Sequence, residues 1–469
     1  MSLSLIEKKQ RQSQNKNNPY LQGNYAPIRE ESDFKNLTIT GKIPEGLEGV
    51  YMRNGPNPAF EPISYTYPFD GDGMIHAIYV QNQQASYRNR YVKTKGLLLE
   101  QQHGQAIYGG IARMAQPNPK FIGPNDNPFK NGAFINIMRH AGRYLAMWEG
   151  GAAYEMDENL DTIGEWKPDS FKPLAVGPHG RFDSNTGELC LITYNITQPF
   201  LTYHRIDKKG LLVETKAVDK PYSTMIHDFA LTKNYLVFFD CPAVLDFQAA
   251  VNGGNMLDWR EELGTRIGIM ARGDSSEPAI WLKTPAFFVF HFVNAFEQNN
   301  LIFVDYVRHN RLGFAITSDE PKLPPQLYRM TIDLAKKTVE EKQLTDHGVE
   351  FPTFNNAYNG RNYRFIYAPT RLRGKREFNA LIKYDIKNNI TTIRDFGEDH
   401  EIGEASFAAK PNPTGEDDGY LLLFVYNKKK NNSDFMILDA QDITKEPVAS
   451  IALPRRVPHG LHGNWMSKQ

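Results

Sequence analysis

Apolar residues along this chain recur with period two rather than 3.6, the spacing of strands rather than helices. Leu189–Tyr194, Tyr235–Phe239, Leu301–Val304 and Tyr420–Val425 are short runs rich in apolar and aromatic side chains, each bounded by turn residues. One unit recurs: an apolar or aromatic strand, an aspartate, a polar turn and a second strand. It ends on Asp157, Asp207, Asp333, Asp385 and Asp439. Aspartate tolerates the tight turn that a hairpin needs. Hairpins repeated at irregular spacing predict an all-β protein, with propeller blades joined by loops of unequal length. A meander within a β-sandwich is the alternative. The stretch from Pro242 to Arg272 breaks the pattern and reads as an insertion on one face. Within it, Ala243–Leu245 and Gln248–Val251 are expected to be helical.

No Pro-, Gly- or Ser-rich linker divides the middle of the chain. The expectation is therefore one domain over 25–469, preceded by a disordered arm over 1–24 that is rich in Gln, Asn and Lys. Lys+Arg and Asp+Glu are equal at 54 each, so no global field would attract nucleic acid. The two cysteines, Cys190 and Cys241, lie in apolar runs and make no disulfide framework, which predicts a cytoplasmic protein. The N-terminus has no long apolar core, so neither a secretory signal nor a membrane span is expected.

Four histidines are candidate metal ligands: His179 in Gly-Pro-His-Gly, His227 in Met-Ile-His-Asp-Phe, His291 in Val-Phe-His-Phe and His462 in Gly-Leu-His-Gly. Imidazole is the commonest neutral ligand near neutral pH. Points this far apart in the chain cannot form a local clip. They need a fold that gathers strands around one axis. Zn, Cu, Fe and Ni all accept imidazole. Zinc would be satisfied with four ligands as a closed site, whereas an octahedral ion would keep two open positions. Glu149, Glu350 and Glu404 stand in apolar settings. A ligating histidine usually donates its other ring N–H to a carboxylate or carbonyl, so these are natural partners.

Several longer motifs then occur in one order. They are Tyr51–Pro58, Phe69–Met74, His227–Thr232, His291–Glu297, Glu350–Pro352, Glu416–Tyr420 and Pro458–Gly463. From about Leu37 onward the chain resembles the carotenoid cleavage oxygenases. The resemblance implies a seven-bladed propeller with a loop and helix dome over the metal face. It implies Fe(2+) on the axis, held by His179, His227, His291 and His462, with Glu149, Glu350 and Glu404 orienting three of the imidazoles in catalysis. It also implies cleavage of an alkene by O2 into two carbonyl products. The family usually has His-Pro at the first ligand, whereas here His179 is followed by Gly180 and preceded by Pro178. Near the C-terminus, His459 and His462 both offer an imidazole. The family's Pro and bulky apolar residue, here Pro458 and Leu461, select His462. The Arg53–Pro56 and Asp70–Gly73 runs are structural in the family.

The expected substrate is a carotenoid or apocarotenoid polyene; a stilbenoid is the runner-up. The stilbenoid branch carries lysine where Trp148 stands, and an indole face suits a polyene better than a phenolate. Trp148, Ile135 and Phe290 are the candidate lining residues, with Ile135 expected to narrow the open face of the iron. The Pro285–Phe290 and Ile107–Tyr108 runs offer further lining. A polyene resides in lipid, so weak peripheral membrane contact is expected, through a patch that includes part of Pro242–Met256. An isomerohydrolase acting on retinyl esters, and a propeller that only binds partners, are the other classes weighed. The full set of histidines and glutamates argues against the last.

Overall fold

In a computed structural model of the chain, the described residues are 13, 15–110, 117–123, 127–169, 171–252, 254, 256–273, 277–312 and 323–468. Among the described residues, seven antiparallel sheets of three to six strands form the blades, and two further sheets have two strands each. Blade 1 contains Ser32–Phe34, Gln84–Tyr91, Met74–Gln81, Gly49–Arg53 and Gly463–Ser467, in that spatial order. Blades 2 to 6 follow in chain order, with edge strands Asn136–His140, Arg181–Asp183, Ala230–Leu231, Phe292–Gln298 and Phe365–Thr370. Blade 7 contains Ser406–Ala409, Gly419–Asn427, Asn432–Asp439, Ala449–Ala452 and Thr38–Gly41, with His400–Ile402 also paired to its central strand. The edge strands of blades 4 and 5 touch, as do those of blades 7, 1 and 2. This is the seven-bladed propeller that the resemblance implied.

The ring is closed twice. Gly463–Ser467 pairs with Gly49–Arg53 in blade 1, and Thr38–Gly41 pairs with Ala449–Ala452 in blade 7. Such closure ties the two ends of the chain into neighbouring blades. The predicted hairpins are present: strands Tyr154–Met156, Leu201–Ile206, Gln326–Asp333, Ala380–Asp385 and Asn432–Asp439 each run up to or onto the expected aspartate. In the turn after Ile206, Asp207 accepts from Lys209 and Leu211 N–H, which is why the residue suits that corner.

Two expectations about Pro242–Arg272 are corrected. Ala243–Leu245 is a strand, paired with Leu257–Trp259, and only Phe247–Val251 is helical. The strand is held from its other side as well, where Met225 N–H donates to Ala243 and Leu245 N–H to Ser223. Tertiary pairing on both sides overrides local propensity. The insertion also ends earlier than expected, because Thr265–Ala271 is a strand of blade 4, paired with Tyr235–Asp240.

Of the N-terminal arm, residues 1–12 and 14 lie outside the described residues. Asn15 and Asn18 donate to Glu61, Pro62 and Tyr65, and Tyr25 lies against Tyr67 and His459. Cys190 and Cys241 are both buried and unpaired. Among the described residues no helix is long and apolar enough to cross a membrane.

Candidate metal centre

The four histidines enter the structure at equivalent places. His179, His227, His291 and His462 each stand one to three residues before an edge strand, in blades 3, 4, 5 and 1. The strand starts therefore converge on one point, and the candidate ligand atoms of all four lie within 4.8 Å of one another. Asp228 fixes three of these starts together. Its carboxylate accepts from Arg181, two residues after His179, at 2.5 Å, and from Phe292 N–H, next to His291, at 2.9 Å. Arg181 also donates to the Phe229 carbonyl at 2.7 Å.

The fourth imidazole is braced by the Arg53–Gly55 turn. Arg53 donates to the Pro458 carbonyl. Leu461 N–H donates to Asn54 at 2.8 Å, Asn54 N–H to His462 at 3.0 Å, and His462 N–H to Ile135 at 3.1 Å. Gly55 and Gly460 meet backbone to backbone here. A Cβ on Gly55 would lie 2.6 Å from the Gly460 Cα, so the close approach requires glycine at that point.

Three carboxylates hold three of the rings. Nδ1–H of His227 donates to Glu149 at 2.6 Å, that of His462 to Glu404 at 3.0 Å, and that of His291 to Glu350. Each glutamate is anchored at its other oxygen or by a second donor. Tyr194 donates to Glu149 at 2.6 Å, Gly463 N–H to Glu404 at 2.8 Å, and His309 Nε2–H to Glu350 at 2.7 Å. Phe351 N–H adds a further bond to Glu350 at 2.7 Å. The sequence reading missed His309 and Tyr194. His309 follows Arg308 in a polar stretch and looks like a surface residue; only its pairing opposite Phe288 brings it inward.

With Nδ1–H committed to carboxylates, Nε2 of these rings carries a lone pair. Nε2 of His179 is 3.1 Å from that of His227, and Nε2 of His291 is 3.1 Å from that of His462. Between His291 and His462, whose Nδ1–H groups are both committed, lone pairs at that distance repel unless a cation lies among them. Metal–nitrogen bonds of about 2.0–2.1 Å would put neighbouring donors roughly 3 Å apart. The donor set therefore fits a divalent transition metal. Burial, then the neighbouring imidazoles, hold His179 well below the usual histidine range, which keeps it a neutral donor. Burial would raise the Glu350 carboxyl, but His291 and His309 outweigh it and hold it well below the carboxylate range. Burial also lowers His291 despite Glu350. For His227, burial is outweighed by Glu149 and the pKa rises.

His459 is not among the four. It donates to Glu401 at 2.8 Å and lies under Tyr25, with ring centroids 4.3 Å apart.

Three of the imidazoles, those of His227, His291 and His462, line a cavity of about 1510 Å³, larger than a typical small-ligand site. Trp148, Ile135 and Phe290 all line it. Trp148 does two jobs: it packs against Phe134 and is 7% exposed, yet it faces the cavity. Of the longer runs expected to line it, only Phe290 does; Phe287 and Phe288 are core, and Tyr108 borders a separate small pocket beside Asp70. Phe351 lies 5.0 Å from His291 and 5.2 Å from His462 by ring centroid. Its φ of 51° is in the left-handed region, uncommon for a bulky residue. Such strain clusters at functional sites.

The Retinal pigment epithelial membrane protein family matches residues 25–467. The chain is 31% identical to carotenoid 9,10(9′,10′)-cleavage dioxygenase 1 of Arabidopsis thaliana, covering 96% of this chain and 90% of that protein. It is also 31% identical to isoeugenol monooxygenase of Pseudomonas nitroreducens, covering 97% and 99%. Among solved structures, lignostilbene dioxygenase of Pseudomonas brassicacearum aligns with a TM-score of 0.90 at 27% identity, covering 96% and 99% of the two chains.

Proposed function

The chain belongs to the Retinal pigment epithelial membrane protein family, the carotenoid cleavage oxygenases, and from that premise we propose that it is a non-haem Fe(2+) dioxygenase. In this reading it cleaves a conjugated double bond of a carotenoid or apocarotenoid with O2. The C=C bond and the O=O bond break, and two C=O bonds form, so no external reductant is consumed. The observation that carries the reading is the convergence of four imidazole nitrogens, three of whose rings line a large, mostly apolar cavity.

His179, His227, His291 and His462 would hold the ion. When bound, ferrous iron supplies the one-electron chemistry that lets triplet O2 react with a closed-shell alkene. Glu149, Glu350 and Glu404 take the Nδ1 protons and so fix the tautomer and ring direction. With no carboxylate among the ligands, this outer set supplies the anionic charge around the metal. Trp148, Phe290 and Phe351 hold the hydrocarbon and exclude water. Ile135, whose carbonyl anchors His462, narrows the space beside the ring.

The runner-up is cleavage of an aryl-substituted alkene. The isoeugenol and lignostilbene relatives favour it; Trp148 favours the polyene. Aerobic incubation of the Fe(2+)-loaded protein with apocarotenals, carotenes, isoeugenol and resveratrol, read by liquid chromatography, separates the two. Cleavage of the aryl alkenes alone promotes the runner-up. Stoichiometric zinc together with activity that chelation of iron leaves untouched sinks both. The cavity lining includes Leu245, Met256, Leu257 and Leu323, the last 68% exposed and so at the protein surface. We assign membrane contact to this rim. Weak, salt-insensitive co-sedimentation with liposomes is expected, and none at any salt concentration refutes it.

A further inference from the structure

The cavity wall is not uniformly apolar. Beyond Phe351 it carries Arg371, Lys375 and Arg376, with Tyr25 and His459 beside them. Lys375 lies 3.7 Å from Glu398, and Arg376 lies 3.4 Å from Glu377. Arg371 has no carboxylate within ion-pair distance among the described residues. Its Nε–H donates to the Arg376 carbonyl at 2.6 Å, and its guanidinium stacks on Phe378 at 4.0 Å. Nε is therefore fixed, and the plane is fixed. The two Nη groups have no protein acceptor among the described residues, and the side chain is exposed on the cavity.

The carboxylates nearest in charge interaction with it are Glu350 and Glu377. Glu350 is already committed to His291, His309 and Phe351 N–H. Tyr25 is no counter-ion, because burial, Tyr67 and Glu377 push its phenol above the ordinary value. The Arg371 Nη groups therefore face the cavity with no protein counter-ion committed to them among the described residues. A ligand with a hydrocarbon end would leave them so. A ligand with a carboxylate would meet a planar fork that pairs both oxygens.

The position suits the end of an elongated substrate. Phe378 meets Phe351 edge-on at 6.3 Å, and Phe351 contacts His291 and His462. A continuous aromatic face thus runs from the imidazoles to the guanidinium. We propose that Arg371 captures a carboxylate at one end of the substrate, which is therefore a conjugated alkene carrying a terminal acid. The inference rests on the reading of the cavity as the site of alkene cleavage. A polyene acid and an aryl-propenoic acid share this chemistry.

The test is an anaerobic titration of the full-length, iron-loaded protein, followed by tryptophan fluorescence. The probes are retinoic acid, methyl retinoate, ferulic acid and methyl ferulate. For at least one skeleton the acid should bind about tenfold or more tightly than its ester, as a charge-assisted pair requires. Arg371→Met should bring that ratio to about one, and Arg371→Lys should leave an intermediate ratio, having charge without the fork. The skeleton that shows the preference identifies the source of the acid. No binding of either acid, equal binding of acid and ester, or a ratio unchanged in Arg371→Met overturns the inference. Acid preference lost in Arg371→Met, with no aerobic cleavage of any probe, upholds the carboxylate site and refutes the dioxygenase reading. Aerobic cleavage without acid preference does the reverse.

Discussion

At the imidazole end of the cavity the polar groups are committed; at the Arg371 end some are not. Glu149, Glu350 and Glu404 each accept from an imidazole and from a second donor. The Arg371 guanidinium has one acceptor for its Nε–H and none for its Nη groups among the described residues. Both ends line one space, but the glutamates are buried or half-buried whereas Arg371 is exposed on it. A guanidinium with open donor positions on a cavity wall is free to pair with an anionic ligand. The saturated end is built to hold geometry. The unsaturated end is built to choose what enters.

The contrast breaks most completely if the saturated end loses a donor nitrogen. His227→Ala or His291→Ala should take iron from about one per chain to a trace, with cleavage abolished, because imidazole is the whole ligand set. Elemental analysis of the purified variants checks this; full iron retention in either would remove the histidine from the centre.

A carboxylate lost from the same end should cost less. Glu350→Gln should weaken iron affinity or turnover by roughly 10–100-fold while the fold persists. Glu350 serves two imidazoles where Glu149 and Glu404 serve one each, so its loss should exceed that of Glu149→Gln or Glu404→Gln. Metal-binding isotherms rank the three, and wild-type affinity in all of them would make the pairing incidental.

On the apolar wall between the two ends, Trp148→Lys should slow polyene cleavage by about tenfold, since an unpaired buried cation costs at least one hydrogen bond's worth. Steady-state kinetics on an apocarotenal and on resveratrol would show whether the loss is selective; equal loss on both would make Trp148 a packing residue only.

The smallest effect lies behind the wall, at Glu401. Burial opposes its ionisation, but His459 and Lys428 outweigh burial and lower its pKa from 4.5 to about 2. A depressed carboxylate contributes stability that is complete above its unfolded value and fades as pH falls through the folded one. Melting temperature should therefore fall between pH 4.5 and about 2, and Glu401→Gln should flatten that slope. Parallel curves for the two proteins would contradict the pairing.

Much of this was legible in the chain. Period-two runs ending in aspartate marked five blade hairpins, because the strand pattern and the turn residue act locally. The histidines stood out because each is flanked by apolar or turn residues where a surface histidine would have polar neighbours. Glu149, Glu350 and Glu404 were found through the resemblance as much as through their apolar settings. His309 and Arg371 were not legible, since both lie in charged stretches that read as ordinary surface. Ala243–Leu245 was misread because three apolar residues fit a helix or a strand equally well, and its partners lie on segments whose placement no local pattern states.

The strand Gly463–Ser467, which follows His462 and closes blade 1 against Gly49–Arg53, sets an order in time. On the ribosome this strand emerges after the strands of every other blade. Until it docks, the chain has only three of the four imidazoles at their strand starts, and blade 1 lacks the strand that touches blades 7 and 2. The full donor set and this closure of the ring therefore form together. Loss of that one strand would undo both at once.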